Sequence, residues 1–193
     1  MMPLWIKIVY TLYAAITVPV YAIRYPPANF LWFSDIALIL TVPALWLESS
    51  LLASMLTLSV LLPEAFWNIG YFSRLLFGKR LSGLTDYMFD AGLPLYLRAL
   101  SLFHVFLPLL LFWMVSRLGY TSGALLCQTG IAWIVLPITY WLTDPALNIN
   151  WVFGPTDESK RRMPPLLHLA VLMIGFPLVV YLPTHIMLIA LFR

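Results

Sequence analysis

The chain has 193 residues, of which 62% are hydrophobic and only 10% charged, and its mean hydropathy is +0.92. Soluble domains carry about 25% charged residues, so a water-soluble fold is excluded. The net charge of +3 is spread over loops, with no block of Lys and Arg interleaved with aromatics of the kind nucleic acid requires, and nucleic acid is excluded as a partner.

A helix needs roughly 20 apolar residues to cross the hydrocarbon core. Spans are predicted at 4–23, 30–47, 51–72, 93–116, 122–142 and 166–191. They make an all-α polytopic transmembrane helical bundle of about six spans, with one transmembrane domain over 1–193. The first span ends in Arg24-Tyr25-Pro26-Pro27 with no small-residue cleavage site, so it is expected to be retained rather than removed as a signal peptide. Pro26 and Pro27 separate it from the second, since proline cannot continue a helix. Glu48-Ser49-Ser50 forms a tight hairpin to the third span, and a polar connection over 77–92 carries Lys79, Arg80, Asp86 and Asp90. Arg117-Leu118-Gly119 is a short turn, its glycine placed to end a helix. Cys127, the single cysteine, cannot form an internal disulfide and is expected to be a small buried hydrophobe. The last connection, 143–165, holds Asn148-Ile149-Asn150-Trp151-Val152-Phe153-Gly154-Pro155 and then a charged tip, Asp157-Glu158-Ser159-Lys160-Arg161-Arg162.

Lys and Arg accumulate in cytoplasmic loops. With six spans, Lys7, Arg117 and Arg193 fall on one face, and Arg24, Arg74, Lys79, Arg80, Arg98, Lys160, Arg161 and Arg162 on the other. Both termini are therefore expected outside, in an integral membrane protein of the bacterial cytoplasmic membrane.

Ionisable residues inside a membrane are costly and are functional candidates by default. Most of those here gather toward the positive face. Asp35 lies one turn into the second span, beside Ser34 and after Asn29. Glu64 is past the middle of the third. Arg98, Ser101 and His104 descend one face of the fourth at i, i+3 and i+6. Asp86 and Asp90 bracket the end of the adjoining loop, and Asp144, Asn148 and Asn150 follow the fifth span. The opposite face offers only Glu48, Gln128 and His185. His104 leads the candidates, because an imidazole at this depth suits a general base, a proton relay or a metal ligand; its structural alternative is a neutral ring tying two helices together. Asp35 has an alternative as ion-pair partner of Arg98. Glu64, directly after Pro63, can instead serve a helix break, and Asp86 and Asp90 can serve caps and turns. Ile149, Trp151, Val152 and Phe153 make the 148–153 segment too apolar for an ordinary tip. It reads either as a lid re-entering over the cluster or as an interfacial anchor through Trp151.

No Glu-x-x-His pair for a di-iron bundle, no His-Glu-x-x-His for zinc and no glycine-rich phosphate loop is present, and no lysine lies at mid-membrane. No cofactor and no bound transition metal are expected, although Asp35, Glu64 and Asp90 would suit a hard cation if they met.

The strings Asn29-Phe30-Leu31-Trp32-Phe33-Ser34-Asp35, Leu84-Thr85-Asp86-Tyr87-Met88-Phe89-Asp90, Ser101-Leu102-Phe103-His104 and Asn148-Ile149-Asn150-Trp151-Val152-Phe153-Gly154 resemble a group of bacterial membrane-associated proteins of about this length. That resemblance covers nearly the whole chain and implies no activity. In layout alone, the chain is also similar to the androgen-induced-protein family of six-span intramembrane lipid hydrolases, which pair a threonine nucleophile at the second span with a histidine in the fourth. The similarity sets Ser34 at the nucleophile position, with serine replacing threonine in a different local string, and His104 at the histidine.

Three functions compete. An ester hydrolase or acyl transferase acting on a lipid or other apolar substrate would use His104 as base, Ser34 or Ser101 as nucleophile and Asp35 to orient the histidine. Asn148 or Asn150 would then be the oxyanion donor, with Asn29, Glu64, Asp90, Arg98 and Trp151 binding substrate. A cation or proton transporter would run its path past Asp35, Glu64, Asp90 and His104, with carbonyls freed by prolines in the spans. A non-catalytic assembly subunit would use the cluster structurally. The partners expected are membrane lipids, together with a second copy of the chain or another membrane protein.

Overall fold

A computed structural model describes residues 1–154 and 163–192. The charged tip at 157–162 and Arg193, which enter the orientation count above, lie outside the described residues. Among the described residues the structure is helical, with no strand.

Helix α1 (Leu4–Arg24) turns Tyr10, Ala14, Thr17 and Tyr21 inward and Trp5, Val9, Leu12, Ile16 and Ile23 outward. Small and hydroxyl-bearing side chains thus face the bundle while large apolar ones face outward. That inversion of the soluble rule is expected where lipid is as apolar as the core. The Tyr10 hydroxyl donates to the Leu38 carbonyl at 2.9 Å. After Pro26 a single 3-10 turn, Pro27–Leu31, leads into α2 (Phe33–Trp46).

This is shorter than the predicted span over 30–47. Fourteen helical residues rise only about 21 Å. Irregular backbone at membrane depth is tolerated where it is buried in protein or lines a cavity, and here Asn29 and Trp32 line one. The other five predicted spans are helical and long and apolar enough to cross a membrane.

Glu48, in the left-handed region at φ 48°, turns the chain from α2 into α3 (Ser50–Phe77), where Ser49 caps the Leu52 N–H at 3.2 Å. Glu48 also accepts from Lys7 Nζ at 2.7 Å and from the Met2 amide at 2.9 Å, fastening the start of α1 to the hairpin. The Lys7 hydrogen bond holds its carboxyl below the usual carboxylate range. Helix α3 is central, packing against α2 and against the later helices Phe103–Leu118 and Ala124–Leu142, and touching the last one, Leu182–Phe192. It runs through Pro63 without a break, contrary to the helix-break reading of that position, and ends at Gly78 with φ 66°.

A loop with one 3-10 turn (Asp86–Phe89) leads to α4 (Leu95–Leu100) and α5 (Phe103–Leu118). The predicted continuous fourth span is therefore interrupted at Ser101 and Leu102, just before His104. Helix α6 (Ala124–Leu142) carries Cys127 on its exposed side. The buried role expected for that cysteine is not met, because the inward face of α6 belongs to Ala124, Gln128, Ala132, Leu136 and Thr139.

The final span consists of α7 (Pro165–Gly175), a π-helical stretch (Phe176–Tyr181) and α8 (Leu182–Phe192). Pro177 lacks the N–H that would bond the Met173 carbonyl, and Trp133 Nε1 donates to that carbonyl at 2.8 Å instead.

Candidate functional site

Most of the polar residues that point to function, Asn29, Ser34, Asp35, Glu64, Ser101, His104 and Asn150, line one cavity of about 400 Å³, within the usual range for ligand pockets. Its wall is built mainly from the end of α1, the start of α2, the middle of α3 and the start of α5, with Trp151 and Phe176 contributed from later in the chain. Aromatic rings dominate it, and the polar groups are few.

Helix α3 supplies Ser59, Val60, Pro63, Glu64 and Trp67, one stripe at spacings of three and four. Pro63 adds to the polarity of this stripe, since its missing N–H leaves the Ser59 carbonyl without its intrahelical donor. Packing of α3 against α5 brings the Glu64 carboxylate to His104, with its two oxygens 2.9 and 2.8 Å from Nδ1. The imidazole stacks with Trp67, at 4.8 Å between ring centres, and with Phe103, at 4.0 Å. Glu64 is 4% exposed. A carboxylate at Nδ1 fixes the tautomer in which Nδ1 bears the proton and Nε2 is left basic. Asp35 was expected to orient the histidine; Glu64 occupies that place, because the rotation of α3 against α5 faces it to the ring.

Asp35 lies on the same wall, 4% exposed. Its Oδ2 accepts from Asn29 Nδ2 at 3.0 Å, and Oδ1 has no hydrogen-bond partner among the described residues. The alternative of an ion pair with Arg98 does not form. The Arg98 guanidinium turns to the Met88 carbonyl at 3.4 Å, its Nε has no partner among the described residues, and the side chain is off the cavity wall.

Of the two serines predicted as nucleophiles, Ser34 lies on the wall in the first turn of α2. Ser101 also lines the cavity, but its hydroxyl is engaged with the Tyr21 hydroxyl at 2.8 Å and the Leu97 carbonyl at 3.0 Å.

The segment after α6 does re-enter the bundle, with Ile149, Asn150, Val152 and Phe153 buried and Phe153 stacked on Tyr140 at 5.0 Å. Asn150 Oδ1 accepts from the Phe33 amide at 3.2 Å and its Nδ2 donates to the Leu31 carbonyl at 2.8 Å. It therefore caps α2 from across the fold. Asn148 is spent within its own loop, on the Gly154 carbonyl and the Phe153 amide. Asn148 is off the cavity wall and does not stand as the oxyanion donor expected of it, whereas Asn150 lies on the wall with one of its two Nδ2 donors bound to Leu31. Asn148 and Asn150 adopt left-handed backbone at φ 42° and 51°, as asparagine tolerates, and bulky Trp151 follows at φ 56°. Trp151 meets Trp32 edge-on at 5.3 Å, and both rings line the cavity.

Asp86 and Asp90 lie off the wall. Asp86 binds Arg74 Nη1 at 2.6 Å and pairs with Arg80, whose hydrogen bond holds its carboxyl below the usual range. Asp90 accepts from the Gly92 amide at 2.8 Å, a local turn. Asp35, Glu64 and Asp90 therefore do not form a cation site, and no group of three metal-ligating side chains occurs among the described residues.

Tyr21, Tyr25, Ser59, Trp67, Tyr87 and Phe176 also lie on the wall, beyond the residues expected there from the sequence. Burial pushes the Tyr87 phenol well above its ordinary value, so it stays protonated. Ser59 and Trp67 were legible as the helical neighbours of Glu64. The π-helical stretch that presents Phe176 had no such signal.

On the opposite face, Tyr120 and His185 meet at 2.5 Å, and Gln128 approaches the Tyr181 hydroxyl at 3.5 Å. No family model, curated protein or solved structure matches the chain.

Proposed function

We propose that this protein is an intramembrane ester hydrolase or acyl transferase of the bacterial cytoplasmic membrane, drawing an apolar ester from the surrounding lipid. The observation that carries this reading is the buried Glu64–His104 pair on the wall of an aromatic cavity that also holds a serine hydroxyl. A histidine with Nδ1 held by a carboxylate is poised to take a proton at Nε2. In this reading Ser34 Oγ attacks the ester carbonyl as its proton passes to His104. The tetrahedral intermediate collapses to an acyl-serine, and the leaving alcohol takes that proton. Water or an acceptor alcohol then attacks the acyl-serine by the reverse route. The Ser34 and Asp35 amides lie in the first turn of α2, where a helix leaves N–H groups without internal partners, and they are the oxyanion donors in this scheme.

The positive-inside distribution supports a cavity near the cytoplasmic face. The apolar residues Leu38, Leu56, Leu107 and Leu111 fill the bundle core, which supports a one-ended pocket over a transport path. The test is labelling of the purified protein by a fluorophosphonate that carries an alkyl chain. Wild type and S101A should label, whereas S34A and H104A should not. Absence of labelling in wild type, or equal labelling of S34A, refutes the assignment; labelling lost only in S59A moves the nucleophile to Ser59.

A further inference from the structure

The cavity holds a charge balance that its own residues leave incomplete. Two carboxylates, Asp35 and Glu64, sit on its wall, each 4% exposed. Glu64 has an imidazole against it. Asp35 has one neutral amide donor on Oδ2 and none on Oδ1 among the described residues. No Lys or Arg is on the wall among the described residues, so His104 is the one wall side chain able to carry positive charge, and it is bound to Glu64. A buried carboxylate without a partner is costly and calls for a countercharge or a proton. The rest of the wall is built from aromatic faces, among them Tyr21, Tyr25, Trp32 and Trp67. Such faces attract cations through the ring quadrupole, the more strongly where water is excluded.

We infer that the cavity binds a ligand bearing an ammonium group, primary or quaternary, with Asp35 as its counter-ion and the aromatic wall as its cage. This rests on reading the cavity as the substrate site, and it makes the substrate an amine-bearing or quaternary-ammonium amphiphile rather than a neutral or anionic ester. Asn29 is a positioning residue, holding the Asp35 carboxylate from the turn before α2.

The test measures binding to the full chain, purified in a neutral maltoside detergent, by calorimetry and by tryptophan fluorescence. The probes are hexyltrimethylammonium, its uncharged isostere with carbon in place of nitrogen, and hexyl sulfate. The expected result is at least a tenfold preference for the ammonium over the isostere, no binding of the sulfate, and loss of that preference in D35N. Equal affinity of wild type for the ammonium and its isostere overturns the inference without requiring any variant to fold. A preference that survives D35N and disappears in E64Q overturns the assignment of Asp35. Binding of the sulfate in place of the ammonium shows that an anion is recognised and also overturns it. Fluorophosphonate labelling is read separately and needs no cationic group. Ammonium binding without labelling therefore keeps this inference and removes the catalytic reading, and labelling without ammonium preference does the reverse.

Discussion

Replacing Glu64 by glutamine tests the central pair with almost no change of shape. The carboxylate oxygens lie 2.9 and 2.8 Å from His104 Nδ1, and glutamine keeps one oxygen able to accept from that N–H. What it loses is the charge facing the imidazolium that forms when Nε2 takes a proton. A hydrogen bond to a charged group contributes about 1.5–3 kcal/mol and a neutral one about 1 kcal/mol, so the exchange forfeits about 0.5–2 kcal/mol in the transition state. With each ~1.4 kcal/mol worth tenfold in rate, fluorophosphonate labelling of E64Q should slow roughly 2- to 30-fold. The melting temperature should change little. E64A differs, because it leaves the Nδ1–H buried without an acceptor, at about 1–3 kcal/mol, and it should lower both rate and melting temperature. The assay is the second-order labelling rate at fixed pH beside a thermal melt of the same preparation. An E64Q rate within twofold of wild type would refute the role given to the carboxylate, and so would an equal loss in S101A.

Three other outcomes are expected. Asn150→Ala removes both hydrogen bonds that fasten the 148–153 segment to the start of α2; at about 1 kcal/mol each it should destabilise by about 2 kcal/mol and hasten proteolysis after α6, and an unchanged cleavage rate would count against the cap. Asp86, held below its ordinary range by Arg80, contributes stability that is fully present above the unfolded value of about 3.9 and lost as pH falls through its depressed folded value; a melt followed from pH 5 downward should show D86N less acid-sensitive than wild type. Ser82→Cys, in the loop that carries Lys79 and Arg80, should react with an impermeant maleimide only from the cytoplasmic side if the positive face is inside, and reaction from the outer side of intact cells would reverse the orientation.

Hydropathy and spacing are local properties, and from them the sequence by itself determined an all-helical chain with apolar segments of membrane-crossing length. It also placed the polar residues at one end of the bundle, because the end at which a residue lies follows from its distance along a span. Which of those residues touch was decided by the rotation and register of one helix against another, and no single segment encodes either. From the sequence Asp35 is the expected partner of His104 and Glu64 a substrate-binding residue, but the packing of α3 on α5 turned Glu64 to the ring and left Asp35 with Asn29. Asn150 looked like a free donor until the fold set it beside the start of α2, 117 positions from its Phe33 partner. The interruption at Ser101 and the π-helical stretch at Phe176 were hidden for a related reason. A helix departs from regular geometry where its neighbours satisfy the backbone groups it releases, and those neighbours are supplied by the tertiary structure alone.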